Sequence, residues 1–225
     1  MNRVIPTGCG PIDDTLRGGI PLSAISLVYG ESSSGRTSFA LQCAVSCARC
    51  IGPVLFVLSE HLANVERLSR ITEFEKAILK RIVLFLPRSF EEQRRIVDDL
   101  NRSLASKFRL IIFDTVTELY HIEQGSLKET IVLNRELNRQ LALMKETALQ
   151  KGVAFLLTAQ VHATLDEDEI EPVANRILRY WSDVVLRLEK TPTMGVRRAR
   201  LEKLMNREQR KSCYFRMTER GIQSI

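Results

Sequence analysis

The chain has 225 residues, 44% of them hydrophobic and 27% charged, with a formal net charge of +6 and five cysteines. That apolar fraction can build one compact domain of the α/β size class and excludes a disordered, solvating chain. No apolar run approaches the roughly 18 residues of a membrane span, the N-terminus lacks a secretion signal's apolar stretch, and the odd cysteine count argues against a disulfide framework; a cytoplasmic protein with reduced thiols and no membrane partner is expected.

In chain order, residues 24–29 (AISLVY) form the first clear strand, closed by Gly30 and followed by a small-residue turn that opens a helical pattern at Arg36. Ahead of it stands only a short lead with a Gly18-Gly19 turn. Further buried strands are predicted at 54–58, 82–86, 110–113 and 153–158. Helices fill the gaps. One begins at Ser89 with Glu92 three residues on, the spacing of a capping box, and runs to about Ser106. Another covers 127–150, with Ile131, Leu137, Leu141, Met144 and Ala148 as its apolar positions. This alternation predicts an α/β fold with a mostly parallel sheet covered by helices on both faces. From Asp183 the chain turns to short alternating strands, DVVLRLE, VRRARLEKL, CYFRM and GIQSI, with 206–212 as a loop, which are expected to extend the sheet as an antiparallel C-terminal edge. No repeat or linker divides residues 1–225, so a single domain is expected.

Gly30-Glu31-Ser32-Ser33-Ser34-Gly35-Arg36-Thr37, with Ser38 behind it, has the spacing of a phosphate-binding loop, G-x-x-x-x-G-K-[ST], with Arg36 in place of the lysine. A buried strand before it and a helix after it let successive backbone N–H groups and the helix N-terminus wrap a phosphate chain, with Thr37 as a Mg²⁺ ligand. The plain alternative is an ordinary Gly/Ser turn. An ammonium is a compact charge, whereas a guanidinium is larger, planar and forked, so nucleotide binding with reduced or lost hydrolysis is expected. The run LIIFD ends in Asp114, which suits a carboxylate offered to a Mg²⁺ shell at the carboxyl edge of the sheet. Glu60, after VLFVLS, could orient or deprotonate an attacking water, and Gln160, after AFLLTA, could contact a γ-phosphate; both could equally be solvated loop residues.

The whole charge excess sits in 191–225, where nine basic residues face three acidic ones. Arg197, Arg198, Arg200, Lys203, Arg207, Arg210 and Lys211 are the candidate DNA-contacting set. On a strand, Arg198 and Arg200 share one face while Arg197 takes the other, with Ala199 and Leu201. The alternative is an edge strand kept unpaired by its charges. Cys43, Cys47 and Cys50 are spaced for one face of a helix together with Phe39, where packing suits them better than metal binding. Tyr180 and Trp181 are expected to pack rather than to stack on bases.

The lead Thr7-Gly8-Cys9-Gly10-Pro11-Ile12-Asp13 with Gly18-Gly19-Ile20, the phosphate loop, Ser59-Glu60 followed by Glu66-Arg67-Leu68, the strand ending at Asp114, and Ala159-Gln160-Val161 resemble the core of a RecA-type recombinase. Within that family the segments FEEQRR at 90–95 and YFRMTERGI at 214–222 resemble the short archaeal RadB paralogues. The resemblance implies a RecA-like P-loop NTPase core that uses ATP and Mg²⁺, with Glu60 as the catalytic carboxylate, Thr37 and Asp114 on the metal and Gln160 as the γ-phosphate sensor. It also implies DNA as a partner and a role in homologous recombination and DNA repair, with at most weak ATPase activity. The implied action is regulatory, on a RadA-type recombinase or a Holliday-junction nuclease.

Because the chain starts at the ATPase core, neither an N-terminal helical DNA-binding domain nor a filament tethered through one is expected. After Gln160 the stretch Asp166-Glu167-Asp168-Glu169-Ile170-Glu171 puts five carboxylates where active recombinases line DNA, which argues against strand exchange whether it repels phosphate or is simply a solvated loop. In the recombinase fold the basic end also lies near a neighbouring subunit's nucleotide, so an arginine there could act across an interface. A KaiC-like signalling ATPase, whose core shares the phosphate loop, and an active DNA-stimulated recombinase ATPase are the alternative readings.

Overall fold

The computed structural model describes residues 4–59, 63–72, 75–163 and 170–225, and leaves undescribed the side chains of 63–65, 162, 163, 170 and 171. Glu60 and the acidic residues 166–169 therefore lie outside the described residues. The lead is more structured than expected: β1 (Val4–Ile5) pairs antiparallel with β2 (Ile20–Pro21), and α1 (Gly10–Thr15) lies between them. Then come β3 (Ile25–Gly30), α2 (Arg36–Cys50), β4 (Val54–Leu58), α3 (Ala63–Ile71), α4 (Lys76–Leu79), β5 (Ile82–Phe85) and α5 (Phe90–Arg102). The middle of the chain supplies β6 (Leu110–Asp114), α6 (Glu118–Ile122), α7 (Leu127–Lys151), β7 (Ala154–Ala159), β8 (Val161–Ala163) and β9 (Ile170–Pro172). The last elements are α8 (Asn175–Trp181), β10 (Val184–Lys190), β11 (Val196–Leu204), β12 (Arg207–Thr218) and β13 (Gly221–Ser224).

Nine strands form one sheet in the order β13-β12-β11-β10-β3-β7-β6-β4-β5. The six from β10 to β5 are parallel; β4, β6 and β7, covered by helices on both faces, read as near-continuous apolar runs, whereas β10 carries Arg187 and Glu189 and the edge strand β5 leaves Val83 and Phe85 exposed. On one face α2 lays Phe39, Cys43 and Cys47 against Val28, Phe56, Ile112 and Leu156. On the other, α5 and α7 lay Ile96, Leu100, Leu137, Leu141 and Met144 against Leu27, Val57, Phe113 and Phe155. This is the RecA-like α/β architecture that the sequence predicts.

Four local expectations are corrected. DVVLRLE is not antiparallel: β10 runs parallel to β3, in register from Val184↔Ser26 to Leu188↔Gly30, because α8 carries the chain back across the sheet before the strand begins. Antiparallel pairing starts only with β11. The stretch 206–212 is not a loop. Met205 and Asn206 both take positive φ, 48° and 63°, in a two-residue hairpin turn, so β12 starts at Arg207. At α5 the Ser89 Oγ accepts from the Glu92 N–H at 3.1 Å, but Glu92 accepts from the Arg88 N–H instead of closing a box; the reciprocal box sits at Ser126 and Glu129, before α7. Ile131 is 44% exposed, so the apolar face of α7 meets the core at Leu133 and is fully buried only from Leu137.

Cys43 and Cys47 are fully buried in α2 while Cys50 is exposed, so the three thiols do not share one environment. Burial pushes the Cys47 thiol up to about 12 and raises that of Cys43 as well. Unfolding returns both thiols to water, where they ionise near pH 8.5. The folded state then holds protons that the unfolded state has released, so stability is full below that pH and falls as pH climbs towards 12. The urea midpoint of wild type should drop between pH 8 and 10.5, and Cys47→Ala, although less stable at pH 7, should show a shallower decline.

Candidate nucleotide site and basic edge

The carboxyl ends of β3, β7 and β6 are neighbours, and they carry the phosphate loop, Gln160 and Asp114 respectively. Gly30 ends β3 against β10 so tightly that a Cβ there would stand 2.2 Å from the Leu188 carbonyl oxygen and 2.7 Å from Ser34 Oγ. Ser33 (φ 63°) and Gly35 (φ 103°) turn the loop into α2, and the Ser34 N–H donates back to the Glu31 carbonyl at 3.1 Å. Glu31, Ser32 and Ser33 are exposed, Ser34 and Ser38 buried, and Gly35, Arg36 and Thr37 half-buried. Among the described residues no side chain caps α2, which leaves its first amides and its positive dipole end facing the loop as an anion site would require. Ser34 Oγ is buried without a hydrogen-bond partner among the described residues, as a phosphate cradle before loading would leave it. These features fit a nucleotide triphosphate tail.

Asp114 is 1% exposed at the end of β6, and its Oδ1 accepts from Thr158 Oγ1 at 2.5 Å. That bond fixes the carboxylate at the sheet edge two strands from the loop. Gln160 is half-buried and donates through Nε2 to Glu118 Oε2 at 2.6 Å. Glu118 begins α6, and no local sequence pattern pointed to it. Thr37 and Asp114 supply the oxygen donors that Mg²⁺ favours.

Two cavities lie nearby, and the first borders the loop. One of about 1130 Å³ lies beside Gly30 and Glu31 and is lined by Leu188, Lys190, Pro192 and Tyr214; it touches neither Asp114 nor Gln160. The other, about 530 Å³, is lined by Glu66, Arg67, Arg70, Met217, Thr218 and Glu219. Met217 packs so closely under Gly35 that a Cβ there would meet its sulfur at 2.9 Å. Arg67, one of the residues that carry the family resemblance, has its Nε buried without a hydrogen-bond partner among the described residues.

The seven basic candidates separate by what they touch. Arg197 lies on the α2 side of the sheet, opposite the buried Phe215, and its Nε and Nη2 donate to the Ser33 carbonyl at 3.2 and 3.1 Å. Arg198, on the other face, pairs with Glu189 at 2.5 Å, and that partner raises its pKa. Lys203 donates to the Arg179 and Ser182 carbonyls at 2.9 and 2.7 Å, closing the C-terminal end of α8, and burial lowers its pKa. Arg200, Arg207, Arg210 and Lys211 are exposed and make no ion pair among the described residues. The exposed Arg216 joins them on β12. Tyr180 is 74% exposed rather than packed, and Trp181 meets it edge to face at 5.1 Å.

The family model described as Rad51 matches residues 3–225. The DNA repair and recombination protein RadB of Thermococcus kodakarensis is 33% identical, over 99% of this chain and all of that protein. Its counterpart in Thermococcus onnurineus is 32% identical, over 99% of this chain and 98% of its own length. A structure described as the crystal structure of the RadB recombinase superposes with a TM-score of 0.82 at 31% identity, covering 99% of this chain and all of the other. Among the described residues no helix is long and apolar enough to cross a membrane. With a phosphate loop, an edge aspartate and a glutamine on three adjacent strands and a match along nearly the whole length, the chain belongs to the Rad51 family of RecA-like proteins.

Proposed function

We propose that this chain is an ATP-binding protein of homologous recombination and DNA repair. It binds DNA through its basic edge and modulates a RadA-type recombinase or a junction nuclease, with weak or absent hydrolysis and no strand exchange of its own. The observation that carries the reading is the loop 30–37, shaped as a phosphate cradle yet holding Arg36 where a compact lysine would reach the terminal phosphates. In this reading the amides at the start of α2 bind the phosphates, Thr37 and Asp114 hold Mg²⁺, and Gln160 senses the terminal phosphate, with Glu118 as its partner in the absence of nucleotide. Bound Mg²⁺ supplies charge neutralisation along the phosphate chain. Glu60 stays the candidate water-activating carboxylate. Cytoplasmic location and a single domain complete the proposal.

At the basic edge, Arg198 and Lys203 are engaged inside the protein, so the DNA contacts fall to Arg200, Arg207, Arg210 and Lys211. One preparation, assayed for ATP binding, single-turnover hydrolysis and DNA binding across salt, tests the whole reading. The expected result is ATP binding with turnover that Arg36→Lys raises about tenfold or more, since positioning governs catalysis more than binding. DNA affinity should fall steeply with salt, and the triple replacement R200Q/R207Q/R210Q should lower the log–log slope by about 2–3. Vigorous wild-type hydrolysis, no ATP affinity, or DNA binding indifferent to the triple change would each overturn its part.

A further inference from the structure

Arg197 sits in the basic run, but the register of β11 puts it on the opposite face from Arg198 and Arg200. Antiparallel partners share a face, and Arg197 is opposite Phe215 on the side that α2 covers, whereas Arg198 and Arg200 oppose Tyr214 and Ser212 on the other side. From there its guanidinium reaches 164 residues back to the apex of the phosphate loop and gives two N–H groups to one carbonyl, that of Ser33. A third N–H, on Nη1, returns to the Val196 carbonyl at 2.9 Å, so the fork is held from its own strand.

The Ser33–Ser34 peptide is thereby fixed at both ends, its carbonyl by Arg197 and its N–H by Glu31. With that peptide turned outwards, the next amides, at Gly35, Arg36 and Thr37, lead into the uncapped start of α2. The neighbouring strands β10 and β12 meet the loop elsewhere. Lys190 lies 3.5 Å from Glu31, and Leu188 and Met217 press against Gly30 and Gly35.

We propose that Arg197 is a positioning residue of the nucleotide site, acting in cis: it holds the phosphate loop in its anion-binding shape and places a fixed positive charge behind it. The proposal rests on the reading of 30–37 as a nucleotide site. The ligand it serves is the polyphosphate tail and not the base, because its contact is with loop backbone. It also ties nucleotide to DNA, since the strand that grips Ser33 on one face carries the exposed Arg200 on the other. Any nucleotide-driven shift of the loop is then felt at the DNA edge, and linkage makes the effect reciprocal.

The test uses the full chain and inorganic tripolyphosphate, which reports on the loop without a base. In wild type it should displace a fluorescent ATP analogue. Arg197→Gln should weaken both ligands by the same factor of about 10 or more, the size expected for losing charge-assisted hydrogen bonds. Arg197→Lys keeps the charge but cannot present a fork, and should fall between the two; if the glutamine variant does not fold, the lysine variant carries the test. Arg102→Gln, which removes an equal charge from the far end of α5, should leave both affinities unchanged. The readout that mere loss of packing would not produce is on DNA: Arg197→Gln should bind DNA as wild type does without nucleotide, but should lose any change in DNA affinity that ATP causes. If Arg197→Gln and Arg197→Lys bind tripolyphosphate like wild type, or if Arg197→Gln weakens nucleotide-free DNA binding instead, the proposal fails alone. If wild type binds neither ATP nor tripolyphosphate, the nucleotide reading fails and this inference with it.

Discussion

Replacing Asp183 with alanine should cost the fold about 3–5 kcal/mol, the loss typical of a buried ion pair broken on one side. Asp183 is 4% exposed and stands where α8 turns into β10. Its Oδ2 accepts from the Ile25 N–H at 2.9 Å, both carboxylate oxygens accept from Lys145 Nζ at 2.6 Å, and its own N–H donates to the Ile25 carbonyl at 2.8 Å. One residue thus pins the start of β3, the helix α7 and the start of β10, and it fixes the parallel register of the two strands whose far ends hold Gly30 and Leu188. Alanine keeps the backbone bond but strands an ammonium and an N–H away from full hydration. Asp183→Asn, which can still accept from Ile25, should lose less. Lys145→Met leaves the carboxylate buried without its cation and should lose about as much as alanine, and the double change should cost less than the sum of the singles. Urea melts of the four proteins measure this; additive losses would show that the pair is not coupled.

That clamp also shows why one part of the fold was hard to foresee. The inner strands were legible to within a residue or two because a strand buried on both faces is an unbroken apolar run, and β4 needed no other signal. The direction of β10 is not a property of its own residues. It follows from α8 crossing the sheet and from an aspartate meeting an amide 158 residues earlier, and alternation alone is the same for either direction. The tight turn of the β11–β12 hairpin, in place of the loop expected at 206–212, escapes the sequence for a related reason: Met205-Asn206 lacks the Asn-Gly or Asp-Gly signature, and positive φ at a methionine is not written in composition. At the candidate site, Gly spacing sets loop 30–37 after β3, and apolar runs ending in polar residues set Asp114 and Gln160 on neighbouring strand ends. The partners that give those residues their setting, Thr158 for Asp114, Glu118 for Gln160 and Arg197 for Ser33, come from other elements and depend on register. The basic run shows the limit most clearly. Strand alternation already sets Arg197 on the other face from Arg198 and Arg200, but it does not show what each cation touches: the structure ties Arg197 to the loop, Arg198 to Glu189 and Lys203 to α8.

Gly30→Ala is the smallest change expected to separate the fold from its ligand. A methyl group placed 2.2 Å from the Leu188 carbonyl oxygen cannot be accommodated by a rotamer, because the obstacle is backbone in the adjacent parallel strand. Either β10 moves away from the end of β3 or Gly30 moves into the loop, where Ser34 Oγ stands 2.7 Å from the same position. Overpacking of this kind costs about 1–3 kcal/mol, which a clamp at Asp183 near the opposite ends of the two strands can survive. The phosphate loop has no such reserve. Its shape depends on Gly30 lying flush with β10, since Lys190 and Arg197 reach the loop from the hairpin that begins there. Displacing that junction by an ångström moves the contacts at Glu31 and Ser33 together, and disturbing the charge-assisted hydrogen bonds that the loop amides offer to phosphate costs about 1.5–3 kcal/mol, roughly 10- to 100-fold in affinity. The variant should therefore keep a cooperative urea transition while its affinity for ATP falls about 10- to 100-fold, and its nucleotide-free DNA binding, which depends on residues further along β11 and β12, should change little. A folded Gly30→Ala protein that binds ATP like wild type would mean that the loop accommodates phosphate without the β3–β10 junction, and the link between the hairpin and the site would have to be abandoned.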